Sequence, residues 1–283
     1  MRTAVTPDGL SLAIHEHGGT GRPTLLCHAT GFHGAVWEPL SAALGEGFAR
    51  WAVDFRAHGA SEAPPDPVMP WEEIAGDVLT AVDALALPAG EILGVGHSMG
   101  GACLLLAELA RPGTFAGLWL FEPIVFPGAG AGGAVAGPPP DNPLAEGALR
   151  RRRSFPSRAE AIANFSSKPP FGSLRADVLH AYVRHGFVDG EDGEVHLACR
   201  PEYESQVYRG GGAHGAYERL GEVACPVVVA HGGDGGFPAL IAPELAERLP
   251  GARLEAHPHV GHFGPLEAPT YLAASIAAFA ATL

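Results

Sequence analysis

The sequence is short of lysine, of paired cysteines and of long apolar runs. Lys168 is the one lysine among 18 basic residues, which face 31 acidic ones for a net charge of −13. Such a chain makes a poor nucleic-acid partner, because phosphate contacts need patches of lysine and arginine. One basic run exists, Arg150-Arg151-Arg152-Arg153. It could form an anion patch, but four successive arginines on a helix point all around it, so the run reads as a solvated face. Cys27, Cys103, Cys199 and Cys225 show no Cys-x-x-Cys pair and no metal-ligand spacing, which argues against a zinc site or a disulfide framework. No run of about 18 apolar residues occurs, so no membrane-spanning helix is expected. The N-terminal MRTAVTPDGLSLAIHEHGG lacks the apolar core of a signal peptide. The expectation is a cytoplasmic protein with reduced thiols, acting on a small molecule. It would have no metal, cofactor, nucleic-acid or membrane partner, and would be a monomer or a homodimer.

What is present is apolar patterning. Hydrophobic residues make up 47% of 283, enough for a large core. Apolar or alternating runs at 3–5, 10–15, 24–28, 50–54, 91–95, 118–121, 226–230 and 252–256 read as strands. Helical spacing marks 71–87, 102–110, 243–249 and 271–283, with a further helix starting near Trp37. This alternation implies a doubly wound, mostly parallel sheet with right-handed crossovers. It breaks at residue 127. A Gly/Ala/Pro stretch runs to 143, and helices broken by turns follow over roughly 144–215, among them 144–155, 157–165 and 174–185. The second has Ser157 as N-cap and Glu160 three residues on. The predicted organisation is therefore a core of residues 1–126 and 216–283 with a helical insertion over 127–215. That insertion would roof the carboxyl ends of the strands, where ligands bind in such sheets.

The most informative stretch is Gly96-His97-Ser98-Met99-Gly100, between a buried strand and a good helix former. Strand, Gly-x-Ser-x-Gly, helix is the context of a nucleophile elbow. The reversal is so tight that a Cβ at either glycine would clash, and it leaves the Ser98 hydroxyl exposed at the tip. A serine nucleophile needs a base, an acid to orient the base, and donors for the oxyanion. His262, in the loop between the last strand and last helix, falls at the same sheet edge and suits the base. His257 and His259, nearby, read as surface histidines.

Four segments, in order, resemble the α/β-hydrolase fold superfamily: His28-Ala29-Thr30-Gly31-Phe32, Asp54-Phe55-Arg56-Ala57-His58-Gly59-Ala60-Ser61, GHSMGG and GHFGPLEAP. The resemblance covers essentially the whole chain. It implies the α/β-hydrolase fold with a helical cap. It also implies an esterase-like serine hydrolase without cofactor, since the dehalogenases and epoxide hydrolases of that superfamily attack with Asp. The oxyanion donors it implies are the N–H groups of Met99 and Thr30, with Phe32 as the alternative because Ala29 replaces the usual glycine. Two acids fit. Asp234 lies after the strand at 226–230, in a loop one residue shorter than usual. Glu122 follows the strand after the elbow, a less common position, and is preferred because the shortened, glycine-rich loop would place Asp234 imprecisely. The Asp54–Ser61 segment reads as structural, a turn holding the elbow. Pocket positions fall to His33, Trp37 and Phe126 from the core, and to Phe155, Phe165, Phe171, Tyr182 and Phe187 from the insertion. The function expected is hydrolysis of a small, largely apolar carboxylic ester through an acyl-enzyme on Ser98. C–C bond hydrolysis, thioester or lactone cleavage, perhydrolysis, and non-hydrolytic ligand binding are the alternatives.

Overall fold

Strand residues alternate between two apolar layers, and that alternation builds the molecule. In a computed structural model describing residues 1–127 and 142–283, Leu25 and Cys27 face one core cluster while Leu26, between them, faces the other. Val227 and Val229 against Val228 and Ala230 repeat the pattern.

The chain opens with β1 (Arg2–Val5) and β2 (Ser11–Gly18), a hairpin across Pro7-Asp8-Gly9, followed by β3 (Arg22–Cys27). Next come α1 (Glu38–Leu44), β4 (Phe48–Val53), α2 (Trp71–Ala84), β5 (Ile92–His97), α3 (Met99–Ala110) and β6 (Phe115–Phe121). An inserted block follows, with α4 (Pro143–Leu149), β7 (Ser154–Phe155), α5 (Arg158–Ser166), α6 (Ala176–His185), β8 (Phe187–Asp189), β9 (Val195–Leu197) and α7 (Pro201–Gly210). The chain then returns through α8 (Ala216–Arg219), β10 (Val227–Gly232), α9 (Phe237–Arg248), β11 (Arg253–His257), α10 (Gly264–Glu267) and α11 (Pro269–Ala280). The main sheet has the order β1-β2-β4-β3-β5-β6-β10-β11, antiparallel at the β1-β2-β4 edge and parallel from β4 onward. Helices cover both faces, α1 and α11 on one and α2, α3 and α8 on the other. The structure is thus the doubly wound, mostly parallel sheet expected.

The inserted block departs from the all-helical expectation. It holds a three-stranded antiparallel sheet, β7-β9-β8, beside its helices. The helix expected over 144–155 stops at Leu149, and Ser154-Phe155 instead pairs with β9. Gly147 weakens that helix near its end, and Arg151 turns inward to an acidic partner on α7. Helix α7 lies within the 144–215 expected as helices broken by turns, although its bounds were not drawn, because its buried face is a thin stripe centred on Tyr203 and Val207 among charged residues. The glycine-rich stretch expected as a loop lies almost wholly outside the described residues. Helix α9 begins at Phe237, ahead of the expected 243, and Pro243 lies inside it. All four cysteines are buried and free, and burial pushes every thiol up, that of Cys225 to about 12. No described helix is long and apolar enough to cross a membrane.

Candidate active site

Ser98 joins β5 to α3 with φ 55° and ψ −115°, a backbone that costs a side-chain-bearing residue on the order of 1–3 kcal/mol. The surroundings hold it there. Its N–H donates to the Phe121 carbonyl at 2.9 Å, and its own carbonyl accepts from Gly101 and Ile124. A Cβ on Gly100 would lie 2.1 Å from the Cys27 carbonyl oxygen, and one on Gly96 2.7 Å from the Gly101 backbone. Both glycines are therefore required by the close approach of α3 to β5 and β3, as the pattern predicted.

Glu122 follows β6 at φ 46° and is fully buried. Its Oε1 accepts the Gly232 N–H at 2.8 Å, and its Oε2 lies 2.5 Å from His262 Nδ1. The competing acid, Asp234, is exposed and touches the histidine differently. Its Oδ2 accepts the backbone N–H of His262 at 2.9 Å, and its Oδ1 caps Gly236 N–H at 3.0 Å. The His262 loop has two more anchors. Glu267 accepts the Gly261 N–H at 2.7 Å, and His97 Nε2 donates to the His262 carbonyl at 2.8 Å. Burial pushes the His97 pKa well down, which keeps that ring a neutral donor. His97 and Glu267 were missed as positioning groups: each sits inside a quoted motif, but only the fold reveals what its side chain reaches.

The loop after β3 carries Thr30 and Phe32, the two positions weighed as oxyanion donors. Phe32 N–H turns back onto the Ala29 carbonyl at 3.1 Å, which removes it as a free donor. Thr30, beside Gly31 (φ 79°), makes no such backbone bond and faces the cavity that Ser98 lines. Met99 opens α3, where first-turn N–H groups have no partner within the helix. His28 braces the loop, with Nε2 accepting Phe55 N–H at 3.1 Å and Nδ1 facing the Ala29 carbonyl at 2.8 Å. The Asp54–Ser61 turn is structural, but what it grips is this loop. Asp54 Oδ1 accepts Gly34 N–H at 2.5 Å and meets His15 Nε2 at 2.9 Å, and Oδ2 accepts Ala60 N–H at 2.8 Å. Burial opposes the Asp54 charge, but His15, followed by His33 and His28, outweighs it and holds the carboxyl well below its usual range.

One cavity of about 1070 Å³ contains Ser98, His262 and Thr30 in its wall. Phe126, Phe155, Phe165 and Phe171 line it as well, together with Phe32, Trp71 and Phe263. His33 and Trp37 do not, which corrects their assignment. Helix α6 packs over the turn at Gly34–Trp37, leaving Trp37 with no exposure and His33 at 1%. The His33 Nε2 is spent on the Tyr182 carbonyl at 3.1 Å. Tyr182 and Phe187 are likewise absent from the cavity wall: Tyr182 packs where the inserted block meets Phe32 and His33 of the core, and Phe187 packs against Phe155.

The arginine run is a second correction. Arg150 caps the end of α4 and the chain then turns, so the four side chains do not ring a helix. Arg151 is largely buried, with NH1 2.5 Å from Glu204 Oε2 and NH2 2.6 Å from Tyr182 Oη. Burial works against its charge, but Tyr182 and Glu204 outweigh that and raise the guanidinium pKa. The pair backs the oxyanion loop: a Cβ on Gly31 would lie 2.6 Å from Glu204 Oε1. Among the described residues, one group of possible cation ligands occurs, Asp192, Glu194 and His196 at the β8–β9 turn. It is partly exposed and outside the cavity wall.

Comparison with known proteins places this geometry in a family. The chain is 35% identical to human monoglyceride lipase over 127 residues, which is 43% of this chain and 42% of that one. Mouse monoglyceride lipase gives 33% over the same length, so the chain spans less than half of the first lipases it matches. The crystal structure of E-2-(acetamidomethylene)succinate hydrolase superposes with a TM-score of 0.79 at 20% identity, covering 98% of this chain and 97% of the other. The esterase RhEst1 from Rhodococcus sp. ECU1013 gives 0.75 at 24% identity, covering 100% and 98%. A sequence profile described as the alpha/beta hydrolase family matches residues 24–275, and the chain belongs to that family.

Proposed function

We propose that this chain is a serine hydrolase that cleaves a small carboxylic ester through an acyl-enzyme on Ser98. The observation that carries the reading is the 2.5 Å contact of His262 Nδ1 with the fully buried Glu122, on the wall of a cavity that also holds Ser98. A carboxylate on Nδ1 fixes the imidazole tautomer, so Nε2 is left unprotonated and can take the serine proton. Ser98 attacks the carbonyl carbon as His262 removes its proton. The N–H groups of Thr30 and Met99 hold the resulting oxyanion. His262 then protonates the leaving oxygen, and a water molecule repeats the sequence on the acyl-enzyme. Glu122 stabilises the imidazolium that forms. Asp234, Glu267 and His97 position the histidine through its backbone and that of its neighbour.

The phenylalanine-rich wall suits apolar acyl or alcohol groups, and the ester chemistry agrees with the names of the lipase and esterase relatives. The inserted segment over 127–215 acts as the cap that decides specificity, since its described part supplies more than half of the cavity wall. Two measurements test the reading. A fluorophosphonate probe should label the wild type at Ser98, and Ser98→Ala should abolish hydrolysis of 4-nitrophenyl acetate. A silent Ser98, or activity surviving in the variant, removes the nucleophile from the mechanism.

A further inference from the structure

Among the described residues, the wall of the Ser98 cavity carries Arg150, Arg151, Arg152 and Lys168 against a single carboxylate, Glu204. The chain as a whole has 18 basic and 31 acidic residues, so a wall drawn without selection would carry more acids than bases. The one acid is already spent, because Glu204 Oε2 sits 2.5 Å from Arg151 NH1. That leaves an excess of three positive charges. The side chains of Arg150 and Lys168 make no hydrogen bond or ion pair with any described residue. Arg152 lies over the Phe155 ring at 4.3 Å, a contact that orders the guanidinium without neutralising it. Elsewhere this acid-rich surface supplies partners readily: Arg56 has Asp77, Arg158 has Asp189 and Arg209 has Glu146.

From these observations we infer that the cavity takes a substrate bearing a carboxylate. Arg150 and Lys168 bind that group, with Arg152 adding to the field, while the reacting acyl carbon lies at Ser98. The inference deepens the serine-hydrolase reading and rests on it for the reaction, though not for the binding. The apolar parts of the wall, among them Phe155, Phe165 and Phe171, have a low dielectric response relative to water and concentrate the field of the cations. A guanidinium matches a carboxylate in a two-point contact, and an ammonium serves as a point charge. Because the charged heads are solvated, the effect belongs to encounter and ground-state binding and weakens with salt. The chain's sole lysine, and part of its one arginine run, thereby acquire a common role.

Two 4-nitrophenyl esters of equal acyl length test this in the full chain: the adipate monoester with its free carboxylate, and the same ester with that carboxylate methylated. The expected kcat/KM favours the anionic ester by about tenfold or more at low salt, and the ratio shrinks as ionic strength rises. In the Arg150→Gln/Lys168→Met double variant the ratio falls toward unity, with the change in KM and not in kcat. A wild-type ratio near unity, or a ratio unaltered in the double variant, overturns the proposal. Calorimetric binding of monomethyl adipate and dimethyl adipate to Ser98→Ala reads the same preference without turnover, and equal affinities there overturn it too. A preference for the acid in that experiment, combined with no hydrolysis and no fluorophosphonate labelling of the wild type, leaves the carboxylate site standing and sinks the hydrolase reading instead.

Discussion

Replacing Glu122 by glutamine removes one charge from a site whose geometry is otherwise preserved. Glutamine matches glutamate in shape, so the Gly232 N–H bond at 2.8 Å survives if the amide oxygen faces it. The amide nitrogen then faces His262 Nδ1, which must become an acceptor, and the ring takes the wrong tautomer for proton abstraction. The electrostatic loss can be sized. Unit charges about 4 Å apart at an effective dielectric constant of about 20 interact by roughly 4 kcal/mol. At 1.36 kcal/mol per decade, that is about a 10³-fold loss of kcat when the imidazolium of the transition state loses its counter-ion. Asp234→Asn differs in kind, because its contact with the histidine is to the backbone N–H at 2.9 Å. An amide oxygen accepts the same bond, and a loss on the order of 1 kcal/mol costs tenfold or less. The assay is steady-state hydrolysis of 4-nitrophenyl acetate by both variants at neutral pH, with circular dichroism to confirm folding. Near-normal turnover in Glu122→Gln together with a thousandfold loss in Asp234→Asn would reverse the assignment of the acid and refute the argument from buried geometry.

Three further outcomes follow from the packing. Gly100→Ala places a carbon 2.1 Å from the Cys27 carbonyl oxygen, so α3 must move off β3, and urea unfolding should report a loss of about 3 kcal/mol or more; an unchanged midpoint would mean that the elbow has slack. Arg151→Met strands Glu204 as a buried, unpaired carboxylate and should cost about 3–5 kcal/mol, whereas Arg151→Met/Glu204→Met should recover most of it. Additive losses in that cycle would show that the pair is not coupled. Burial pushes the His33 pKa from the ordinary 6.5 down to about 4, so between those values the unfolded chain binds a proton that the folded one does not. Stability therefore falls as pH drops from 6.5 through 4, by about 3 kcal/mol from this residue. His28 and His97, whose pKa values burial also lowers, add in the same direction. Unfolding free energies at about pH 7.5 and about pH 4.5 should differ less in His33→Leu than in the wild type, and equal differences would contradict the linkage.

The readable and the unreadable parts of this chain divide by how far apart the deciding residues lie. Short continuous apolar runs such as those around Leu25 and Val228 announced the strands because each carries both buried faces of the sheet in its own few residues. The elbow was nearly as local: Gly96 is dictated by the turn itself, through the Gly101 backbone, whereas Gly100 answers to the Cys27 carbonyl on β3. Strands β7, β8 and β9 have two or three residues each, too few for a period to emerge, so they passed as turns between helices. The arginine run shows the deeper reason. Nothing within residues 150–153 distinguishes Arg151 from its neighbours; its burial depends on Glu204, 53 positions away. The same holds for His33, which looked like a cleft residue until α6 closed over it through the carbonyl of Tyr182, 149 positions on. The acid of the proposed triad lies between these extremes. Its two candidates were both visible as carboxylates at strand ends, and the shortened loop after β10 favoured Glu122. That preference had a physical basis which the structure makes explicit. A carboxylate can orient an imidazole only if it is itself immobilised, and a residue at the end of a central strand, at φ 46° with Oε1 tied to the Gly232 N–H, has less freedom than one in an exposed loop of glycines. Burial of the acid also keeps water from competing for the His262 contact, so the feature that makes Glu122 costly to place is the one its proposed role requires.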